Sequence, residues 1–375
     1  MYWTKVQYPS AVFFMILALD RLFLADLGID HEPVMQLKGE PLAMRYKKLL
    51  RHIAVAFIWG VLGLATLWAT AALRFDVRIS WLRIPLAAIY GLTMVTTWMW
   101  VRRPWKALVT GAGFISVLAW WLWLPPSNDR DWQPDLAVLP YSDIVGNQVT
   151  IHNIRNCDYR TETDFDVRHY DKTFALDKLQ TADLYLVYWG SPHMAHTMVS
   201  FGFDGGDYVC MSIETRKEKG EGYSAVKGLF RQFELTYIIA DERDLVRLRT
   251  NYRRGEDAYL YRARMTPEQS RTLFRDYLRR ANELRERPEW YNALTDNCTT
   301  AIRTQRAATD RAPWNWRMLV NGHVDELLYE RGMFDTNLPL AELRKQCHIN
   351  TRARSADPAA DFSQHIRQGL PDPNL

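Results

Sequence analysis

Three uncharged apolar runs dominate the first third of the chain. Ile53 to Leu73 is bounded by Arg51 and Arg74, Ile84 to Val101 by Arg83 and Arg102, and Ala107 to Leu124 by Lys106 and the Pro125-Pro126 pair. A helix that crosses a bilayer needs about 20 apolar residues, with ~17 tolerated, so each run predicts a span. Trp98, Trp100, Trp105, Trp120, Trp121 and Trp123 crowd the ends, as interfacial aromatics do. The segment Ala11 to Leu27 is also apolar but carries Asp20, Arg21 and Asp26, which predicts an amphipathic helix lying on the membrane surface. Lys38, Arg45, Lys47, Lys48 and Arg51 precede the first run, and Arg102, Arg103 and Lys106 separate the second from the third. The intervening loop holds Arg74, Arg78 and Arg83, diluted by Asp76. Positive charge stays inside, so the N-terminal stretch is expected in the cytoplasm, and three crossings put everything after Pro126 outside.

The pattern changes after this membrane domain of residues 1–125. Residues 125–140 hold four prolines and mixed charges and read as a linker over 126–140. Gln148 to Ile154, Leu184 to Trp189, Thr197 to Phe203 and Tyr208 to Glu214 have strand character. Pro267 to Arg287 and Thr299 to Arg306 have helical character, with Pro267 in a first turn. The expected fold over 141–350 is therefore α+β with an antiparallel sheet. Residues 351–375 are short of apolar side chains and read as a loosely ordered tail.

The hairpin around Asp204-Gly205-Gly206 is the most informative local pattern. Val199, Phe201, Phe203, Val209, Met211 and Ile213 fall on odd positions, whereas His196, Ser200, Gly202, Ser212 and Glu214 fall on even ones. A strand alternates faces, so the odd set faces a core. Both odd sets share a face only if Asp204, Gly205 and Gly206 form a three-residue loop pairing 203 with 207. Residue 196 then lies opposite 214, with Cβ atoms about 5 Å apart on the non-core face. An ordinary polar pair on a wet face fits the same pattern. His193, on the opposite parity after Pro192, is expected in a loop.

Charge and cysteine usage narrow the chemistry. The net charge of +4 is small and dispersed, and the arginines from Arg243 to Arg287 alternate with acids, which predicts a solvated helical face and no nucleic-acid partner. The four cysteines, Cys157, Cys210, Cys298 and Cys347, form no CxxC pair, so neither a disulfide scaffold nor a metal site is expected, and no cofactor. Cys298 stands apart. Asp296 or Asn297 suits an N-cap, with helix from Thr299, so Cys298 falls in a first turn where partial positive charge lowers a thiol pKa. A small buried cysteine at a helix start fits as well. Together with the hairpin, the sequence suggests a Cys298–His196–Glu214 set: thiolate as nucleophile, imidazole as proton shuttle, carboxylate holding the ring. The Cys298 and Thr299 N–H groups, with Asn297 in support, are candidates for an oxyanion site. Residues 307–350, with Trp314, Trp316 and the turn Asn321-Gly322-His323, suit either a lid or groove, or core packing.

The segments His152-Asn-Ile-Arg-Asn-Cys, Ala195-His-Thr-Met-Val-Ser-Phe-Gly-Phe, Ser212-Ile-Glu-Thr-Arg-Lys-Glu and Asp296-Asn-Cys-Thr-Thr-Ala-Ile-Arg resemble the Lnb-type family of bacterial membrane proteins. That family is related to circularly permuted papain-like enzymes, among them NlpC-type hydrolases and lecithin:retinol acyltransferase. The resemblance implies a permuted papain-like domain at the periplasmic side of a multi-pass inner-membrane protein, with His196 and Cys298 on catalytic positions and Glu214 third. It also implies lipoprotein N-acylation: an acyl chain passes from a phospholipid to the thiol, then to the N-terminal amine of a diacylated lipoprotein. The same residues would serve a thiol hydrolase, either a phospholipase or a cell-wall amidase. A non-enzymatic membrane scaffold is the remaining alternative.

Overall fold

The computed structural model describes residues 42–373 apart from 103–104, 307–308, 310, 336 and 358, and the surface helix expected over 11–27 lies outside them. The chain divides into two units, Met1–Leu124 and Pro125–Leu375.

The first unit contains helices α1 (Leu42–Asp76), α2 (Ser80–Trp100) and α3 (Trp105–Trp123). Two polar contacts join them: Trp98 Nε1 donates to Thr110 Oγ1 at 3.0 Å and Trp121 Nε1 to Asp76 Oδ2 at 2.7 Å. Large apolar side chains turn outward on all three, including Phe57, Leu64, Ile89, Leu92, Ile115 and Leu122. Such a surface suits an apolar solvent, where helices satisfy their own backbone groups. Among the described residues, two stretches are long and apolar enough to cross a membrane, Tyr46–Asp76 and Trp105–Trp123. The remaining expected span, 84–101, forms as α2 but carries Pro85 and threonines such as Thr93, whose hydroxyl bonds back to the Ile89 carbonyl. The odd number of crossings behind the expected outside placement is therefore not given by the helices.

The second unit is built on one sheet. Its strands are β1 (Tyr141–Val145), β2 (Gln148–Arg155), β5 (His169–Ala175), β6 (Leu179–Trp189), β7 (Ser191–Phe203), β8 (Tyr208–Arg216), β9 (Glu234–Ala240) and β10 (Glu256–Arg262). The short β3 (Asp158–Tyr159) and β4 (Phe165–Asp166) pair apart. The order is β1-β2-β9-β8-β7-β6-β10, antiparallel except for one parallel contact between β2 and β9. β7 and β8 pair in the register that parity requires: Val199 opposes Met211, Phe201 opposes Val209, and Phe203 N–H donates to Asp207 O. Gly205 and Gly206 close the loop at φ +95° and +86°, a backbone region that glycine adopts freely. His193 belongs to β7 and not to a loop.

Both faces of the sheet are buried, so the even-numbered face belongs to a second core and is not the non-core face expected. The odd face packs on α5 (Pro267–Glu286), which starts at a Thr266–Gln269 capping box with Pro267 in its first turn. The even face, with Met198 and Cys210, packs on Leu245 and Val246 of α4 (Glu242–Arg247), on Ile349, Ala353, Phe362 and Ile366, and on Leu136. Those partners overturn two expectations. Residues beyond 350 form short helices whose buried side chains each contribute about 1.5–3 kcal/mol. Arg367 there is held by Asp183 and Glu242 at 2.8 and 2.7 Å. The stretch 126–140 is likewise docked rather than a free linker: Trp132 and Leu136 are buried, and Arg216 donates to the carbonyls of Leu136 and Ala137.

Candidate active site

Cys298 is the first residue of α6 (Cys298–Thr304), and Asn297 is its N-cap. Asn297 Oδ1 accepts the N–H groups of Thr299 and Thr300, both at 2.9 Å, while Nδ2 donates to the carbonyls of Ala293 and Met318. One side chain thus locks the helix start to the loops on either side. The paired part of β7 and β8 ends at Met198 and Ser212, and beyond it the β7 backbone turns to the thiol. Thr197 N–H donates to Cys298 Sγ at 3.4 Å, and the hydroxyls of Thr197 and Thr299 bond at 3.0 Å.

His196 extends from the neighbouring position of β7. Its Nε2 lies 2.7 Å from Ser212 Oγ, which donates to Glu214 Oε1 at 2.8 Å. Nε2 also lies 3.5 Å from the same carboxylate oxygen, to which Arg249 Nη2 donates at 3.0 Å. The imidazole is therefore fixed by a serine, a glutamate and an arginine in sequence, and Nδ1 is the ring nitrogen left for the thiol. Glu214 meets His196 just beyond the paired stretch, with the Ser212 hydroxyl bridging them.

The electrostatics follow from this order. Burial pushes the Cys298 thiol up, but the hydrogen bond and charge of His196 and the Thr197 N–H bring it down to about 7. Burial and the Arg249 charge push the His196 imidazolium the other way, and the thiol and Glu214 outweigh them, so its pKa is raised. Burial opposes ionisation of Glu214, yet the His196 bond and Arg249 hold its carboxyl well below the ordinary range. A thiol and an imidazole that shift each other's pKa in these directions have the arrangement that a nucleophile with a proton shuttle needs.

Two expectations change. Thr299 N–H is taken by Asn297 Oδ1 and does not serve an oxyanion, which leaves the Cys298 N–H of the expected pair. Arg249 belongs to the stretch expected to form a solvated face, yet it is only 5% exposed and grips Glu214. The structure adds Asn321, whose Nδ2 donates to Cys298 Sγ at 3.3 Å while its Oδ1 accepts the Ala195 N–H at 3.1 Å. That carboxamide is oriented at both ends and aims a donor where charge would develop on an attacked carbonyl. Its turn is held in place by Tyr188, whose hydroxyl donates to Gly322 O, and by the close approach of Gly322 to Pro192 and His193. A cavity of about 450 Å³, lined by Tyr188, Tyr259, His323 and Arg344 among others, shares only that turn and includes none of Cys298, His196 or Glu214.

Residues 166–322 match the family model described as the Lnb N-terminal periplasmic domain. Over that stretch the chain is similar to the Lnb-type family. The matched stretch runs from β4 to the Asn321-Gly322 turn and so contains His196, Ser212, Glu214, Arg249, Cys298 and Asn321. No curated protein and no solved structure matches the chain. The two apolar helices among the described residues and the match to a periplasmic domain family together fit a membrane protein with a periplasmic domain.

Proposed function

We propose that this protein is a membrane-bound lipoprotein N-acyltransferase whose Lnb-type domain, of permuted papain-like design, works outside the cytoplasmic membrane. The observation that carries the reading is the Cys298 thiol, brought down to about 7 beside an imidazole anchored by Ser212, Glu214 and Arg249. In the first half-reaction the thiolate attacks the ester carbonyl of a phospholipid. Asn321 and the Cys298 N–H take the oxyanion, the C–O bond breaks, and His196 gives its proton to the departing lysophospholipid oxygen. In the second, the N-terminal amine of a diacylated lipoprotein attacks the thioester. His196 takes a proton from the amine, and the C–S bond breaks to restore the thiolate. The thioester divides one hard transfer into two easier ones.

The same set would release a fatty acid if water replaced the amine, as a phospholipase does. Incubating the full-length protein in phospholipid vesicles, with and without a diacylated lipopeptide, and following products by mass spectrometry separates the two. Acylated lipopeptide together with lysophospholipid supports transfer. Free fatty acid with no acylated peptide supports hydrolysis. Cys298→Ala is expected to abolish both products, and retention of full activity in that variant would remove the enzymatic reading.

A further inference from the structure

Exposed apolar side chains in the second unit are not scattered. Apart from Val138, Ile144 and Val145, every large one among the described residues lies on segments tied to Cys298 or its cap. Leu294, 56% exposed, sits on the turn before Asn297. Val226, also 56% exposed, belongs to a loop joined to that turn by Ala293 N–H donating to Gly228 O, where an added Cβ would lie 3.3 Å from Ala293. Trp314 and Trp316, 59% and 52% exposed, and Val320 belong to the segment whose Met318 carbonyl accepts from Asn297 and whose Asn321 touches the thiol. Met194 comes from β7, one residue past the His193 backbone on which Gly322 rests. The result is a collar of aliphatic and indole side chains around one nucleophile.

The collar is also cationic. Residues 311–320, Arg-Ala-Pro-Trp-Asn-Trp-Arg-Met-Leu-Val, contain two arginines and no carboxylate. Arg317 is paired with Glu330 outside the segment at 2.8 Å, so the positive field comes from the other guanidiniums. The segment is held by guanidiniums bonded to carbonyls: Arg303 to Ala312, Arg311 to Thr304 and Arg306, and Arg331 to Pro313. A carbonyl satisfies a guanidinium without cancelling its charge, so these cations add a positive field beside the exposed indoles. Tryptophan with arginine at an apolar rim is the composition of a membrane–water interface, where the indole sits at headgroup depth and the cation meets phosphate. Monomeric proteins in water rarely gather apolar side chains in this way without a partner.

We infer that the collar of Met194, Val226, Leu294, Trp314, Trp316 and Val320 docks the thiol site onto the surface of an anionic phospholipid bilayer. The choice of lipid over protein rests on the acyl-lipid reading of the site and on the charge of the 311–320 segment. Docking of this kind lets an acyl chain pass from lipid to thiol without crossing water.

Hydrogen exchange of the full-length protein in nanodiscs tests the contact without reference to activity. Amides of residues 312–320 should exchange about tenfold more slowly in discs rich in phosphatidylglycerol than in phosphatidylcholine discs. Equal exchange in both would overturn the inference, as would protection that comes only with an added lipoprotein. In the activity arm, Trp314→Ala with Trp316→Ala should cut transfer from bilayer phospholipid about tenfold through KM. Turnover of a water-soluble short-chain thioester and alkylation of Cys298 should stay within about twofold, because neither needs a bilayer. An unchanged bilayer rate would overturn the docking surface. Loss of the soluble reaction in the unmodified protein would instead strike the acyltransferase reading and leave the exchange result to judge the collar.

Discussion

The surroundings of Cys298 and Cys210 make the sharpest contrast in the molecule. Both thiols are buried and free of disulfides, Cys210 within β8 and Cys298 against the Thr197 backbone of β7. Cys210 sits mid-strand opposite Ser200 in the second core, where burial and the nearby Glu242 charge raise its pKa well above the ordinary value. Cys298 is as hidden, yet its thiol comes down to about 7. Burial alone therefore makes a cysteine inert. The difference is made by one imidazole, a backbone N–H and a side-chain amide aimed at the sulfur. Cys157 and Cys347 repeat the inert case, each pushed up to about 12, chiefly by burial.

Three substitutions sharpen or break that contrast. The largest effect is expected from Asn321→Ala, which removes the oriented donor. Turnover should fall about 10²–10³-fold in kcat, with KM little changed, because the oxyanion exists only in the transition state. Alkylation of Cys298 forms no oxyanion and should change far less, which separates a donor from a merely structural residue. Next is Glu214→Gln, which keeps the shape but deletes the charge that favours the imidazolium. The sign follows from the two shifts: with less negative charge nearby His196 loses its proton at lower pH, and the Cys298 pKa rises with it. Alkylation at pH 7 should slow about five- to tenfold, and its pH midpoint should move upward. Smallest is Cys210→Ala. It should leave the labelling of Cys298 untouched and cost ~1 kcal/mol of stability in chemical unfolding, the cost of a small void in a packed interior.

Local chemistry was legible in the sequence where it depends on neighbours a few residues apart. The hairpin parity gave the 199–211 register, and with it the meeting of His196 and Glu214. Asn297 followed by Cys298 marked a capped helix start. What escaped depends on contacts across long stretches of chain. Asn321 lies 23 residues from the thiol it touches, and Arg249 lies 35 from Glu214, so neither leaves a periodic signal. Arg249 even looks solvated by composition, since its neighbours are charged. The inner strand β9 escaped because Glu-Leu-Thr-Tyr-Ile-Ile-Ala, buried along its whole length, loses its alternation at Ile238-Ile239-Ala240. The even face of the hairpin read as non-core because small polar side chains such as Ser200 and Ser212 cannot announce that Phe362 and Ile366 pack beside Met198 and Cys210 on that face. In the N-terminal unit hydropathy located all three helices, but Pro85 and the threonines leave α2 less apolar than its neighbours.

The central claim is that Cys298 and His196 exist as an ion pair near neutral pH. The most direct measurement is the rate of iodoacetamide labelling at Cys298 from pH 5 to 10, followed by peptide mass spectrometry, in the full-length protein and in His196→Ala. Half-maximal reactivity near pH 7 in the unaltered protein, moving to the ordinary thiol range of about 8.5 in the variant, is the expected result. A common midpoint near that ordinary value in both proteins, or no labelling in either, would contradict it.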